Sequence, residues 1–310
     1  MPVLENQPGF RRQFLAWMWG LILLGLLVVL MGYTLRLDNR LYARLFSPAS
    51  GEEATGPSLG LPDYQVVIEA KPVAGIEKNL SGLAFDPDRD LLWAVSNRPC
   101  VLLALNRSGE VMTRYQLEGF QDVEAVCYAG QGLLIVAEER RRNLVMIPVP
   151  QNGQSLRRDD FPFFTFQIGP ADNRGFEGLG YDLKGNRLFL TKEQRPPEVF
   201  EITGVQNSME GKLSLKVHDI IDQDKFRAFA SDLSSVEYDP RTGHLLLLSE
   251  QSKMLWEMSA QGKMIGLLPL VSGSAGLEHS IPHPEGVALD SQGRIYMVSE
   301  PNLFYSFTRK

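Results

Sequence analysis

The sequence predicts an all-β protein, a five-bladed β-propeller carried behind one N-terminal membrane-spanning helix. Three observations predict it: a six-residue phrase that recurs five times, a second apolar run after every copy, and an uncharged apolar stretch near the start. The phrase occupies 81–86 (SGLAFD), 124–129 (EAVCYA), 177–182 (EGLGYD), 234–239 (SSVEYD) and 285–290 (EGVALD), at steps of 43, 53, 57 and 51 residues. Steps of that size fit one blade plus variable loops.

Each phrase reads as the first strand of a blade. The second strands are 91–96, 133–137, 187–192, 244–249 and 294–299, ending on Asn97, Glu138, Glu193, Glu250 and Glu300. In the third blade the plan continues through 198–202 and 212–217, and in the first through 101–105 and 111–117. Glycine in the connecting turns supplies the positive φ that other residues resist. Along the phrases one face is large (Leu83, Val126, Leu179, Val236, Val287) and the other small (Gly82, Ala125, Gly178, Ser235, Gly286). Blades wedged around an axis need that asymmetry. Glu237 breaks it and calls for a partner or a role. The last blade stops one strand short, and the β-like run 64–70 before the first phrase is placed to supply the missing outer strand and close the ring. A sixth, degenerate blade within 203–233 is the alternative.

The segment 14–35 has 22 residues without a charge, flanked by Arg11, Arg12 and Arg36. That length spans a bilayer as a helix, and it lacks the short apolar core and small-residue cleavage site of a signal peptide. Arginines lie on both sides (Arg40 and Arg44 also follow), so positive-inside counting leaves orientation open. The domain plan is therefore a short tail (1–13), the helix (14–35), a juxtamembrane segment and flexible linker (36–63) and a propeller (64–310). Gly56-Pro-Ser-Leu-Gly60 matches G-x-S-x-G but lies in the linker, without the strand and helix a nucleophile elbow requires. A net charge of −6 argues against nucleic acid as a partner. Cys100 and Cys127 have no metal-motif spacing, and whether they pair is left open.

Strand one begins where strand two ends, so the phrase starts converge at one channel mouth. The inner ring is Ser81, Glu124, Glu177, Ser234 and Glu285, with Asn97, Glu138, Glu193, Glu250 and Glu300 behind it. Crowded carboxylates drive one another toward the neutral form unless a cation intervenes. Ca²⁺, with six to eight oxygen ligands and loose geometry, suits three glutamates, serine hydroxyls and water, whereas zinc lacks its Cys or paired His. The outer ring also reads as strand ends paired with Arg140, Arg141, Arg142, Lys192, Arg195 or Lys253. His279 and His283 enter the mouth on a loop, His283 as a ligand-binding candidate, while His218 and His244 read as structural. No catalytic residue is assigned.

The runs LSGLAFDPDRDLLWAVSN, FEGLGYDLKGNRLFLTKE, LSSVEYDPRTGHLLLLSE and PEGVALDSQGRIYMVSE behind a single anchor resemble the bacterial SdiA-regulated family over roughly 64–310. The resemblance implies a five-bladed propeller with bound calcium, of unestablished biochemical function, at the cell inner membrane with the propeller in the periplasm. More distantly, E-G-x-x-x-D is similar to the first-strand motif of calcium-dependent propeller hydrolases of the gluconolactonase and phosphotriesterase kind. That likeness places metal ligation on Glu124, Glu177 and Glu285. Ser81 and Ser234 depart from the hydrolases' Asn and Asp ligands. Two functions follow as expectations: a membrane-tethered calcium-binding scaffold or binding module, or a hydrolase of esters or lactones with Glu193, Glu250, Glu300 or His283 as base.

Overall fold

Five four-stranded antiparallel blades close into a ring in the computed structural model. It describes residues 8–34, 57–151, 153–166, 175–193, 197–209, 211–212, 214–220 and 230–310. Leu35, the linker residues 36–56, with Arg36, Arg40, Arg44 and Gly56, and Arg195 lie outside that set. Helix α1 (Pro8–Thr34) is long enough at 27 residues to cross a membrane, and its side chains from Trp17 to Met31 are exposed apolar groups apart from glycine.

The chain enters the propeller through β1 (Tyr64–Pro72). Blade one comprises β2 (Leu80–Asp86), β3 (Leu91–Asn97), β4 (Cys100–Leu105) and β5 (Val111–Glu118). Blade two comprises β6 (Val123–Tyr128), β7 (Leu133–Glu138) and β8 (Asn143–Pro148), then β9 (Leu156–Arg157), which crosses to lie parallel beside β5, and β10 (Phe163–Thr165). Blade three is β11 (Phe176–Asp182), β12 (Arg187–Lys192), β13 (Glu198–Thr203) and β14 (Lys216–Asp219). Blade four is β15 (Ser235–Asp239), β16 (His244–Ser249), β17 (Met254–Met258) and β18 (Met264–Pro269). Blade five is β19 (His283–Leu289), β20 (Ile295–Glu300) and β21 (Leu303–Arg309), completed by β1 in the order β1-β21-β20-β19.

That order is the latch expected from 64–70, with Tyr64 opposite Arg309 and Pro72 opposite Leu303. Between β13 and β15 the described residues hold only a short helix, α2 (Val205–Met209), and β14 of blade three, so the sixth blade is not formed among them. The expected outer strand at 212–217 begins later, at Lys216, because Gly204 and α2 lengthen the connection.

Five apolar clusters each fill one gap between blades. In the gap between blades one and two, Ala84 and Val95 of the first meet Val126 and Tyr128 of the second. Ala125 and Cys127 then meet Leu179 and Tyr181. The series returns to its start with Ala288 of blade five against Leu83 of blade one. Small therefore packs on large at the inner strands, as the alternation requires. A Cβ on Gly178 would lie 2.7 Å from Ser235 Cα, and one on Gly286 would lie 2.8 Å from Leu83 N. These contacts are backbone, so the neighbouring strand cannot rotate away. Gly178→Ala is expected to destabilise the fold by about 2 kcal/mol, read as a lower urea midpoint with an unchanged slope.

The aspartate that ends four of the phrases is structural. Asp182 is buried and accepts the Lys184 and Gly185 N–H groups at 3.1 and 2.9 Å, while Arg187 closes on its other oxygen at 2.8 Å. Asp86, Asp239 and Asp290 repeat the arrangement with Arg89, Arg241 and Arg107. Each caps the turn between strands one and two, a service Asp performs because its short side chain reaches its own backbone two residues on. Asp182→Ala removes one of the two counter-charges of Arg187, which keeps Glu201 at 2.9 Å, and opens the turn. A loss of about 2 kcal/mol is expected, measured by the same urea titration.

Candidate metal site at the acidic mouth

The five phrase starts do meet. Ser81, Glu124, Glu177, Ser234 and Glu285 line one cavity of about 280 Å³ at the axis, together with Glu139, Glu193, Asp232, Glu250, His283 and Glu300. The backbone aims them there. The ladder skips a residue between Val123 and Ala125, between Phe176 and Gly178, and between Pro284 and Gly286. The extra residues are Glu124, Glu177 and Glu285. A bulge turns a side chain off the pleat, and here it turns each glutamate out of the inter-blade packing and into the channel.

Burial makes these carboxyls reluctant to ionise. Glu124 is pushed up to about 7 by desolvation, opposed by the Ser81 hydroxyl and aided by Glu139, Asp122 and Glu300. Glu177 is raised well above the carboxylate range by desolvation and then by Glu124, Glu139, Glu193 and Glu285. Glu285 is raised in the same way, by desolvation and then by Glu300, Glu250, Glu124 and Asp232. Apart from burial, the strongest influences on Glu177 and Glu285 are other carboxylates. Glu124 is the best anchored of the three, with the Ser81 Oγ donating to it at 2.8 Å and Asn97 Nδ2 at 3.2 Å.

The outer ring needs one correction. Glu138 is not at the mouth. It is fully buried between blades, accepting from Arg158 Nε at 2.8 Å, Arg141 at 3.1 Å, Asn143 at 3.2 Å and the Gln121 N–H at 3.0 Å. Glu139 takes the mouth position. Val123 pairs with Glu138 as Phe176 pairs with Lys192, so Glu138 is the counterpart of Lys192 and Glu139 that of Glu193. With a side-chain period of two, reading the strand end one residue early reverses the face.

Glu193, Glu250 and Glu300 line the cavity, whereas Asn97 does not and reaches it only through Glu124; these positions serve a belt of contacts between blades. In four of the five blades the residue two before the phrase reaches the preceding blade. Asn79 donates to Glu300 at 3.2 Å, and Asp122 accepts from Asn97 at 2.7 Å. The Gly175 N–H donates to Glu139 at 3.0 Å, and His283 Nδ1 meets Glu250 at 2.9 Å. Between blades three and four the link is backbone, Leu233 N–H to Glu193 O at 3.0 Å. Lys253 pairs with Glu250 at 3.0 Å, and Arg140 with Asp122. Asp232, buried beneath the mouth, accepts the N–H groups of Glu250 and Gln251 and is pushed up to about 6 by desolvation. Asp122, Asp232 and Glu139 escaped the sequence reading. Their signal was available two residues before the phrase and in the parity of the second strand.

His279 lies apart from the cavity, with its N–H on Glu69 at 2.9 Å. His244 is structural, bonded at 2.7 Å to the fully buried Glu257, and His218 stands exposed on β14. Cys100 and Cys127 are both free thiols.

The model of one family, SdiA-regulated, matches residues 57–308. The chain belongs to the SdiA-regulated family. Among solved structures, this family member is similar to a luciferin-regenerating enzyme, with a TM-score of 0.51, 13% identity, and 78% of this chain and 95% of the other covered. It is also similar to virginiamycin B lyase from Staphylococcus aureus, with a TM-score of 0.49 and 11% identity over 79% and 99%. A streptogramin B lyase gives a TM-score of 0.44 and 9% identity over 80% and 98%. At these identities the likeness is one of fold.

The donor chemistry of the mouth suits a hard cation, since the buried donors are carboxylate and hydroxyl oxygens. The spacing is open. Among the described residues no three His, Cys, Asp or Glu side chains converge as placed into a coordination shell. An ion would have to draw Glu124, Glu177 and Glu285 inward across the cavity.

Proposed function

We propose that this SdiA-regulated protein is a membrane-tethered, calcium-binding scaffold or binding module, with the ion held at the channel mouth by Glu124, Glu177 and Glu285 and the Ser81 and Ser234 hydroxyls. The observation that carries this reading is the convergence of three half-buried, bulge-directed carboxyls on one cavity, each displaced toward its neutral form. Carboxyls in that state gain most from a cation, and oxygen ligands in a roomy cavity favour calcium over smaller or softer ions.

Helix α1 supports the tether, by length and composition. Calcium also fits a propeller placed in the periplasm, beyond the cell inner membrane. The chain joins the propeller at the end opposite the acidic mouth. There Ser58 Oγ and the Leu59 N–H both donate to Glu257 at 2.9 Å, beside the turn residues Thr242 and Gln292. The acidic mouth thereby faces away from the point of attachment, as a docking face for a ligand or partner should.

The other reading, a calcium-dependent esterase or lactonase, draws on His283 and Glu250 at the rim. Glu250 is already paired with both Lys253 and His283, which makes it a weaker base and favours the scaffold. Melting of the full chain with Ca²⁺, Mg²⁺ and Zn²⁺, alongside a calcium-supplemented ester and lactone screen, tests both. A calcium-selective rise without turnover supports the scaffold, and turnover lost in Glu177→Gln supports the hydrolase.

A further inference from the structure

A second cavity of about 190 Å³ opens at the other end of the channel, where the phrases finish. Its wall is largely apolar and aromatic: Phe85, Tyr128, Tyr181, Leu183, Tyr238 and Leu289. The rings are pinned from outside. Arg107 stacks over Phe85 at 5.2 Å, and Arg187 over Tyr238 at 5.4 Å. The tyrosine hydroxyls are engaged with the turns: Tyr128 with Asp88 and the Gly132 N–H, Tyr181 with Asn186, and Tyr238 with Arg187. Their ring carbons are left to form the wall.

Two carboxyls line this cavity: Asp290, which is paired with Arg107, and Glu237, which among the described residues has no ion pair with the lining cations Lys184 and Arg241. Glu237 sits on the small face of its phrase, where the other blades carry Ala84, Cys127, Gly180 and Ala288. It lies deep in the protein, and the surface it keeps is cavity wall. Its Oε1 accepts the Tyr238 N–H at 2.9 Å, so a proton on the carboxyl resides on Oε2. The charged and titratable groups sharing the cavity are Cys127, Tyr128, Tyr181, Lys184, Tyr238, Arg241 and Asp290. Arg241 is committed to Asp239, and Asp290 to Arg107. Burial pushes Glu237 up to about 8, against the Tyr238 N–H and with Asp239.

We propose that this cavity is a second ligand site, one that takes a single neutral, ring-sized molecule and hydrogen-bonds its carbonyl-type oxygen through Glu237. The volume suits one ring, since an apolar cavity of about 150 Å³ already admits benzene. An apolar pocket with one directed polar group is the usual construction of a small-molecule site. A protonated carboxyl donates to an acceptor. The cations at the rim, Lys184 and Arg241, disfavour a cationic guest.

The test uses the full chain in lipid nanodiscs and 4-fluorobenzamide as probe, followed by ¹⁹F line broadening against empty nanodiscs. Saturable broadening, displaced by unlabelled benzamide, is expected at pH 6. It should weaken about tenfold by pH 9.5, when the donor is lost, and about tenfold in Glu237→Leu. Glu237→Gln retains a donor, so it should bind with no such pH dependence. Equal affinity in wild type and Glu237→Leu, absence of saturable binding, or tighter binding of benzylammonium than of benzamide would overturn the proposal.

Discussion

With divalent cations removed, the full chain is expected to melt at falling temperature as pH rises from about 4.5 to 8, and calcium is expected to flatten that fall. The sign follows from the mouth. A carboxyl whose folded-state pKa is raised holds its proton more tightly folded than unfolded, so below the ordinary value of 4.5 it contributes nothing. Above that value the folded state loses ground, until the group ionises in the fold as well. For Glu124, raised to about 7, the loss is complete near neutrality and on the order of 3 kcal/mol. Glu177 and Glu285 extend it to higher pH. Calcium held by the ionised form, as proposed, would add about 2.7 kcal/mol at a hundred times its dissociation constant. Glu177→Gln should invert the usual expectation for a buried substitution. Without metal at pH 8 it should melt above wild type, because it removes a carboxyl whose ionisation burial and four other carboxylates oppose, and it should gain nothing from calcium. A wild-type melt indifferent to calcium would sink the metal reading and leave the acidic mouth as a docking face for a cationic partner.

Glu138→Ala is expected to cost about 4 kcal/mol whether or not calcium is present. Arg158 is nearly as buried as Glu138 itself, and its guanidinium would be left without a counter-charge. Two further groups, Asn143 Nδ2 and the Gln121 N–H, lose their acceptor at the same time. Glu139→Gln should behave oppositely, with little change in the metal-free melt and a weakened calcium response, because Glu139 faces the cavity. Chemical denaturation of the two variants, with and without calcium, reads both. Similar losses in the two would show that the face assigned by the ladder register is wrong.

The repeat was legible because every blade solves the same packing problem with the same residues. The alternation in EGLGYD and its copies named the wedge, the turn and the strand that closes the ring. The inner-ring residues were legible for the same reason, since antiparallel neighbours bring strand starts and ends to one face. Glu138 was misplaced because LLIVAEE offers two adjacent acids, and only pairing with Val123 decides which faces the channel. Asp122 and Asp232 were missed because they precede the repeat, and their partners lie on other strands.

By itself, then, the sequence determined the five-fold repeat, the latch strand and the three glutamates that open its phrases, because these follow from local periodicity. The choice of five blades over six came from the structure. The tertiary structure decided what each polar group does. Bulges turned three glutamates into a cavity, inter-blade contacts made the outer ring structural, and closure of the ring buried Glu237 among aromatic rings. Those outcomes depend on distances between residues far apart in the chain, which periodicity does not encode.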